Sequence, residues 1–582
     1  MVAYGVFQTE GRKRMDMGRA ISRRGFLRRA GAVGAAGAFL PRAAFGEADR
    51  PPNVLLIMTD DQGYGDLGCH GNPHLKTPNQ DRLYSESLRL RQFHVCPVCS
   101  PTRASLMTGR YNYRTGVVDT YLGRSMMHGD ETTMAELFAA KGYRTGIFGK
   151  WHLGDNYPLR AVDQGFQESL VHHGGGISQP SGPPGNSYFD PILMHNGVTA
   201  KHEGYCTDIF TDATMAFVEK NRDRPFFAYL ATNAPHTPLE IGDEYVAPYR
   251  AAGLNDRLAK FYGMIANFDE NLGRLLKKLD ELGLAENTIV VFLTDNGSSH
   301  VGGKDQFNAG QRGWKGSVYQ GGIRVPCFIR WPAALKAGQE VERIAAHIDL
   351  LPTLLEACGA ELPADLALDG MSLLPLLREG RVDWPDRNLF FQWHRGDEPE
   401  LFRQCAVRSQ RYKLVNGAAL YDMQADPAET KDIAAEHPDI VARMRAAHEA
   451  WLQDVGAKRG YAPPRIYLGT EHEDPVTLTR QDWRGAQGWG DKDLGYWEVD
   501  VRAAGGYDVA LRFGPRKRGG EARLKLGDVE HTQPLLKGAE SCIFEGVGLA
   551  KGPARLEAEL IQGKTVTGVR YVDVMRGTDR KD

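Results

Sequence analysis

The chain lacks an excess of either charge. Over 582 residues, 71 Lys and Arg stand against 73 Asp and Glu, a formal net charge of −2. That balance supplies no field to draw it onto nucleic acid or an anionic membrane. Cysteine is scarce: eight residues at irregular spacings exclude a disulfide framework. Cys96-Pro97-Val98-Cys99 has the form of a redox or zinc pair, but no second pair stands at zinc spacing. No segment supplies the roughly 20 consecutive apolar residues of a membrane span, and internal repeats are missing too. The length exceeds one ordinary domain, so two to three units are expected.

The N-terminus carries a short apolar, Gly/Ala-rich run from Ala30 to Leu40, preceded by Ser22-Arg23-Arg24-Gly25-Phe26-Leu27. Together they form the twin-arginine pattern of a signal segment, with small residues for cleavage between Gly46 and Asp49. A basic arm would account for the arginines but not for the apolar run. The expectation is a soluble periplasmic or secreted protein, exported folded by the twin-arginine machinery, with no stable membrane anchor.

Four short apolar runs read as buried strands: Val54 to Met58, Tyr143 to Phe148, Phe226 to Leu230 and Ile289 to Leu293. Between the last two, Ile265, Phe268, Leu272, Leu275, Leu276, Leu279 and Leu282 recur at helical spacing. Strands alternating with helices imply an α/β fold, a large, mainly parallel sheet covered by helices. The strands run respectively into Asp60-Asp61, Lys150-Trp151-His152, Pro235-His236 and Asp295-Asn296. Any one such cluster could be a turn or a helix cap. Four delivered to one sheet edge, where open α/β sheets bind ligands, point to a site. Asp60, Asp61, Asp295 and Asn296 form an all-oxygen set suited to Ca²⁺ or Mg²⁺ rather than zinc. Lys150 and His152, two apart, should point the same way in extended structure.

Beyond about Pro332 the texture changes. Asp349 to Leu355 starts a helix, Arg411 to Val415 and Leu420 to Met423 read as a hairpin, and a helix spans roughly His437 to Val455. From about Thr470 the pattern alternates with period two, as in Trp497 to Val501, Tyr507 to Phe513, Ala522 to Leu526 and Ala554 to Ala558. That is an antiparallel β-sandwich, serving either sugar binding or as a structural cap. The expected organisation is a signal segment over 1–48, an α/β body over 49–335, a small α+β subdomain over 336–460 and the sandwich over 461–582.

Cys99-Ser100-Pro101-Thr102-Arg103 opens a helix-like run ending in Thr108-Gly109-Arg110. With Asp60-Asp61 and Asp295-Asn296 it resembles the signature of the type I sulfatases, of the alkaline phosphatase-like superfamily. The resemblance covers the block from Pro52 to Arg110 throughout. It implies that Cys99 is oxidised to formylglycine by a formylglycine-generating or sulfatase-maturating enzyme. It further implies that Asp60, Asp61, Asp295, Asn296 and residue 99 hold Ca²⁺, with Mg²⁺ as the alternative. Arg103 would hold the formylglycine hydroxyl, and Lys150 and Lys315 the sulfate. His152 would assist regeneration of the aldehyde, and His236 would protonate the leaving oxygen. Trp314 beside Lys315, and Gln320 where glutamate is common before Gly-Gly-Ile-Arg, depart from the family's usual residues. The implied substrates are sulfated carbohydrates and aryl sulfate esters. Candidate lining residues are Arg124, His172 to Gly176, His195, His300 and Trp393-His394-Arg395. Two alternatives remain: a phosphonate or phosphate monoester hydrolase of the same superfamily, and a non-catalytic exported glycan-binding protein.

Overall fold

The computed structural model describes residues 50–379 and 384–577. The twin-arginine segment and its cleavage region lie outside the described residues.

Ten strands form one sheet. Its parallel centre runs from Thr288–Thr294 through Asn53–Thr59, Phe226–Ala231 and Arg144–Lys150 to Glu168–His172. Cys327–Arg330 pairs antiparallel on one side and Ile192–His195 on the other. The central strand shows why its sequence is an unbroken apolar run. Val54, Leu56 and Met58 enter one hydrophobic core, while Leu55 and Ile57 enter the core on the opposite face. Thr288–Thr294 divides the same way, with Val291 in one core and Phe292 in the other. The helix Asp256–Glu281 covers one face, its start capped by the Asn255 side chain accepting from the Leu258 amide at 3.1 Å. Phe268, Leu272, Leu275, Leu276 and Leu279 all enter the core beneath it.

A second sheet joins Leu389–Gln392, Cys405–Arg408, Tyr412–Val415 and Ala419–Asp422, all antiparallel, so the expected hairpin is its last two strands. The helix Pro438–Ala457 packs Ile440 and Met444 against Val407, Leu414 and Leu420 of that sheet.

The C-terminal strands form two facing sheets, one organised around Gly552–Gln562 and the other around Tyr571–Arg576 and Gly505–Arg512. The pairing is antiparallel except at Ile466–Leu468, which lies parallel to Tyr496–Val501. That edge strand arrives directly from the body rather than through a hairpin, so it is free to take the parallel direction. The sandwich core does not end at the sandwich: Leu122, Met126 and Leu159 of the body are packed into it.

Candidate active site

Backbone hydrogen bonds continue past the strand ends and fix the polar clusters that follow. The Asp60 amide donates to Ala234 O at 3.1 Å and the Asp295 amide to Thr59 O at 3.1 Å. Gly149, at φ +123°, lets the strand before Lys150 lie tight on its neighbour, since a Cβ there would sit 1.8 Å from Ala231 O. Asp61 and His152 also hold left-handed backbones, at φ 69° and 59°. Non-glycine residues in that region concentrate at functional sites.

His152 thus corrects one expectation. The chain is no longer extended after Lys150, because the strand Arg144–Lys150 ends there and His152 turns left-handed. Lys150 instead reaches Asp60 Oδ2 at 2.6 Å, with both side chains fully buried. His152 lines the cavity above by a separate route.

Cys99 is the first residue of the helix Cys99–Thr108, every residue of which is buried. Pro101 falls in the first turn, where a missing amide hydrogen costs nothing. Two residues on, Arg103 clamps Asp295 Oδ2 through Nη2 at 2.7 Å and Nε at 3.2 Å, and donates to Lys150 O at 3.0 Å. Asp61 Oδ1 accepts from Asn296 Nδ2 at 2.9 Å and from the Lys315 ammonium; Oδ2 accepts from Ser299 Oγ at 2.7 Å. His236 Nε2 stands 4.0 Å from Asp61 Oδ2. The structure therefore brings Asp60, Asp61, Cys99, Arg103, Lys150, Asp295, Asn296, Lys315 and His236 into one cluster. Ser299, which donates to Asp61, and Thr120, whose backbone carbonyl holds His152, are not legible in the sequence because a lone loop residue carries no pattern.

The charges respond to this crowding. Burial works against the Asp61 carboxylate, but Lys315, His236 and Asn296 outweigh it and hold it well below the usual carboxylate range. Asp295 is pushed up to about 6 by burial and by Asp60, with Arg103 opposing. Burial would depress Lys315, yet the surrounding carboxylates hold it above its ordinary value. Burial raises the Cys99 thiol, against the pull of Lys150 and Lys315.

Donor chemistry fits a hard divalent cation. Ligand atoms of Asp60, Cys99 and Asp295 lie within 4.8 Å of one another, as do those of Asp60, Asp61 and His236. Asp60 Oδ1 and Asn296 Oδ1 are buried oxygens without a hydrogen-bond partner. A buried acceptor left unpaired is costly unless something occupies it, and oxygen donors of this kind suit Ca²⁺ or Mg²⁺.

Two histidines face the cavity with readable tautomers. His152 Nε2 lies 2.8 Å from Thr120 O and His236 Nδ1 lies 2.7 Å from Thr237 O. A carbonyl only accepts, so those nitrogens carry hydrogen, leaving His152 Nδ1 and His236 Nε2 as the basic positions. Burial depresses both rings, His236 to about 3 against the pull of Asp61, and so favours their neutral forms. The glycine loop 174–176 packs on them: a Cβ on Gly175 would lie 2.6 Å from the His152 ring. The Thr120 carbonyl receives a second donor, Gln481 Nε2 of the sandwich, at 2.9 Å.

The cavity, about 480 Å³, is lined among others by Cys99, His152, Gly175, His236, Trp393 and Arg395. Of the other lining candidates, Arg124 pairs with Asp397, His172 and His394 are buried against their own loops, and His195 ends an outer strand. His173 lines a different cavity. His300 stacks on Trp314 at 4.4 Å, and Gln320 faces His94 at 3.3 Å, so neither departure from the usual sequence reaches the cavity. Cys96 carries a free thiol near His347 Nε2, not a bond to Cys99.

A sulfatase family model matches residues 52–360, and the model for the C-terminal region of N-sulphoglucosamine sulphohydrolase matches 310–453. Human arylsulfatase A is 35% identical over 432 residues, covering 67% of this chain and 81% of that one. Human N-acetylgalactosamine-6-sulfatase is 33% identical over 380 residues, 60% of this chain and 69% of that one. The structure of Ps i-CgsB in complex with k-i-k-neocarrahexaose superposes with a TM-score of 0.64 at 29% identity, covering 71% of this chain and 95% of that one. With its mainly parallel sheet and the polar cluster at the strand ends, this chain belongs to the sulfatase family of sulfuric ester hydrolases.

Proposed function

We propose that the protein is an exported hydrolase of sulfate monoesters, acting on sulfated carbohydrates and also on aryl sulfates. One observation carries the reading: Cys99 sits at a buried helix start, its sulfur within 4.8 Å of carboxylate oxygens of Asp60 and Asp295, inside the motif with Pro101 and Arg103. A buried thiol held protonated is a poor nucleophile. Oxidation of Cys99 to formylglycine supplies, in the hydrated aldehyde, one hydroxyl to attack sulfur and a second with which to release sulfate. Asp60, Asp61, Asp295, Asn296 and residue 99 would hold Ca²⁺ or Mg²⁺, which supplies charge stabilisation at the sulfate oxygens.

The chain's own residues do the rest. Asp60, Asp61 and Asp295 are balanced by Arg103, Lys150 and Lys315, so a bound dication leaves the site positive and receptive to an anionic ester. Lys150 and Lys315, held in place by Asp60 and Asp61, neutralise charge on the transferring group. An anionic ester beside His236 raises its proton affinity, so Nε2 takes up a proton from water as the ester binds and then passes it to the leaving oxygen. His152, fixed through Nε2–H to Thr120 O, offers Nδ1 to take the proton of the second hydroxyl. The twin-arginine pattern supports a periplasmic or secreted location.

The test is the mass of the peptide bearing residue 99 from protein made in its own host, followed by turnover of sulfate and phosphonate esters side by side. A loss of about 18 Da relative to cysteine, the thiol-to-aldehyde difference, with sulfate turnover supports the reading. Intact cysteine in active enzyme, or faster phosphonate cleavage, overturns it.

A further inference from the structure

Two cavities meet where the sandwich abuts the body. The first contains Cys99, His152, His236 and Lys315; the second, about 410 Å³, lies between the loop 178–184 and the sandwich. Gln179 and Trp489 line both, so the two spaces adjoin across those side chains. Each has the volume of a small-ligand site, about 300–1,000 Å³. The matching family models end at residue 453, so Trp489 and everything the sandwich adds lie outside them.

Trp489 is held as a platform. Its carbonyl accepts from Arg480 Nη1 at 2.6 Å, and Arg480 is itself anchored on Val569 O and Gly568 O at 2.8 and 3.0 Å. On either side, Gly488 O accepts from Trp483 Nε1 at 3.2 Å and the Gly490 amide donates to Asp493 at 2.6 Å. The indole meets Tyr121 of the body edge-to-face at 5.2 Å. Such a loop, pinned at three consecutive residues, presents its ring without losing much freedom on binding. In the second cavity Arg570 is exposed and has no carboxylate partner among the described residues. Arg480, by contrast, is committed to backbone carbonyls and Asp491. Arg570 is thus the cation left for a ligand.

We propose that the sandwich completes the substrate site with a second saccharide subsite: Trp489 stacks on the sugar next to the sulfated one, and Arg570 takes that sugar's anionic group. This rests on the carbohydrate reading above. An indole face suits the C–H face of a sugar ring, and a guanidinium grips carboxylate and sulfate alike by paired hydrogen bonds. The enzyme therefore prefers an acidic oligosaccharide to a single sulfated sugar.

The test compares kcat/KM on 4-nitrophenyl sulfate with that on tetrasaccharides of chondroitin 6-sulfate, which place a carboxylate next door, and of ι-carrageenan, which place a sulfate there. Arg570→Ala and Trp489→Ala should each lower the ratio of tetrasaccharide to aryl-ester kcat/KM roughly tenfold, mainly through KM. Trp489→Phe should restore most of that ratio. Whichever tetrasaccharide is cleaved, and loses more in Arg570→Ala, identifies the anion. Equal losses on both substrates, or no loss on either, overturn the subsite and leave the carbohydrate reading intact. Wild-type enzyme that cleaves the aryl ester but neither tetrasaccharide overturns both.

Discussion

In the floor beneath the cavity, Asp60, Asp295 and Asn296 have no exposure and sit within hydrogen-bond range of charged partners from other elements. At the rim, Trp489 and Tyr121 are half-buried, and the Arg395 side chain is 53% exposed while its guanidinium spans Asp119 and the Tyr121 ring. The floor is assembled from the ends of adjacent parallel strands, whose register leaves no freedom. The rim is assembled from three loops far apart in sequence, joined mainly by side-chain contacts and by the Gly123 amide on Gln481 O. A buried ionic floor fails as a unit when one member is removed, whereas a rim of separate contacts is free to change one residue at a time. On the proposed reading, this division would let the floor hold the chemistry while the rim sets the choice of substrate.

Breaking the floor should have the largest effect. Cys99→Ala should lower sulfate-ester turnover by about 10³-fold or more while the far-ultraviolet circular dichroism stays native. Turnover within tenfold of wild type would detach residue 99 from the chemistry. Next, Asp295→Ala strands the Arg103 guanidinium in a site where it is 1% exposed, and should cost on the order of 3–5 kcal/mol in denaturant unfolding. A loss under about 1 kcal/mol would mean that the clamp is not tightly held.

The seam between floor and rim comes third. Gly175→Ala drives a methyl into the His152 ring at 2.6 Å and should reduce kcat up to about 10²-fold with little change in KM. An unchanged kcat would free His152 from the reaction. The smallest effect belongs to a buried carboxyl pair where the sandwich meets the body. Burial pushes Asp155 up to about 7, and burial together with Asp155 raises Asp482 well above its ordinary value. From about pH 4 to 7 the folded protein retains the Asp155 proton that the unfolded chain has released, so stability falls as pH rises through that window, and the raised Asp482 adds in the same direction. Asp482→Asn should accordingly stabilise the protein more at about pH 8 than near pH 4, read as a larger rise in melting temperature at the higher pH. Equal melting shifts at both pH values would contradict this.

The floor was legible in the sequence because each of its residues directly follows a buried strand, and an apolar run ending in acid or lysine is visible without a structure. Cys99 and Arg103 were legible through their resemblance to a known motif. The spacing of His152 from Lys150 misleads, since alternation holds only while the strand lasts and here it ends at Lys150. The strand Glu168–His172 went unread because only Leu170 and Val171 are apolar in it. Val529–Leu535 was equally silent, an outer strand with most side chains exposed. Trp489 stands in the glycine-bearing stretch from Gly485 to Gly490, where nothing local announces a cavity wall. Its role depends on Tyr121, more than three hundred residues earlier, and no pattern along the chain encodes that meeting.

The Thr120 carbonyl oxygen has two lone pairs, one facing His152 Nε2 and the other available to Gln481 Nε2. Gln481 also donates to Ser125 Oγ at 3.1 Å, and its own carbonyl receives the Gly123 amide at 2.8 Å. The last hundred residues are therefore not a detachable appendage. A truncated form ending near residue 460 would release the turn that orients His152, and a lineage that shed the sandwich would need a new donor for that turn. Domain grafts between relatives should accordingly carry residues 119–125 and the sandwich as one exchange unit.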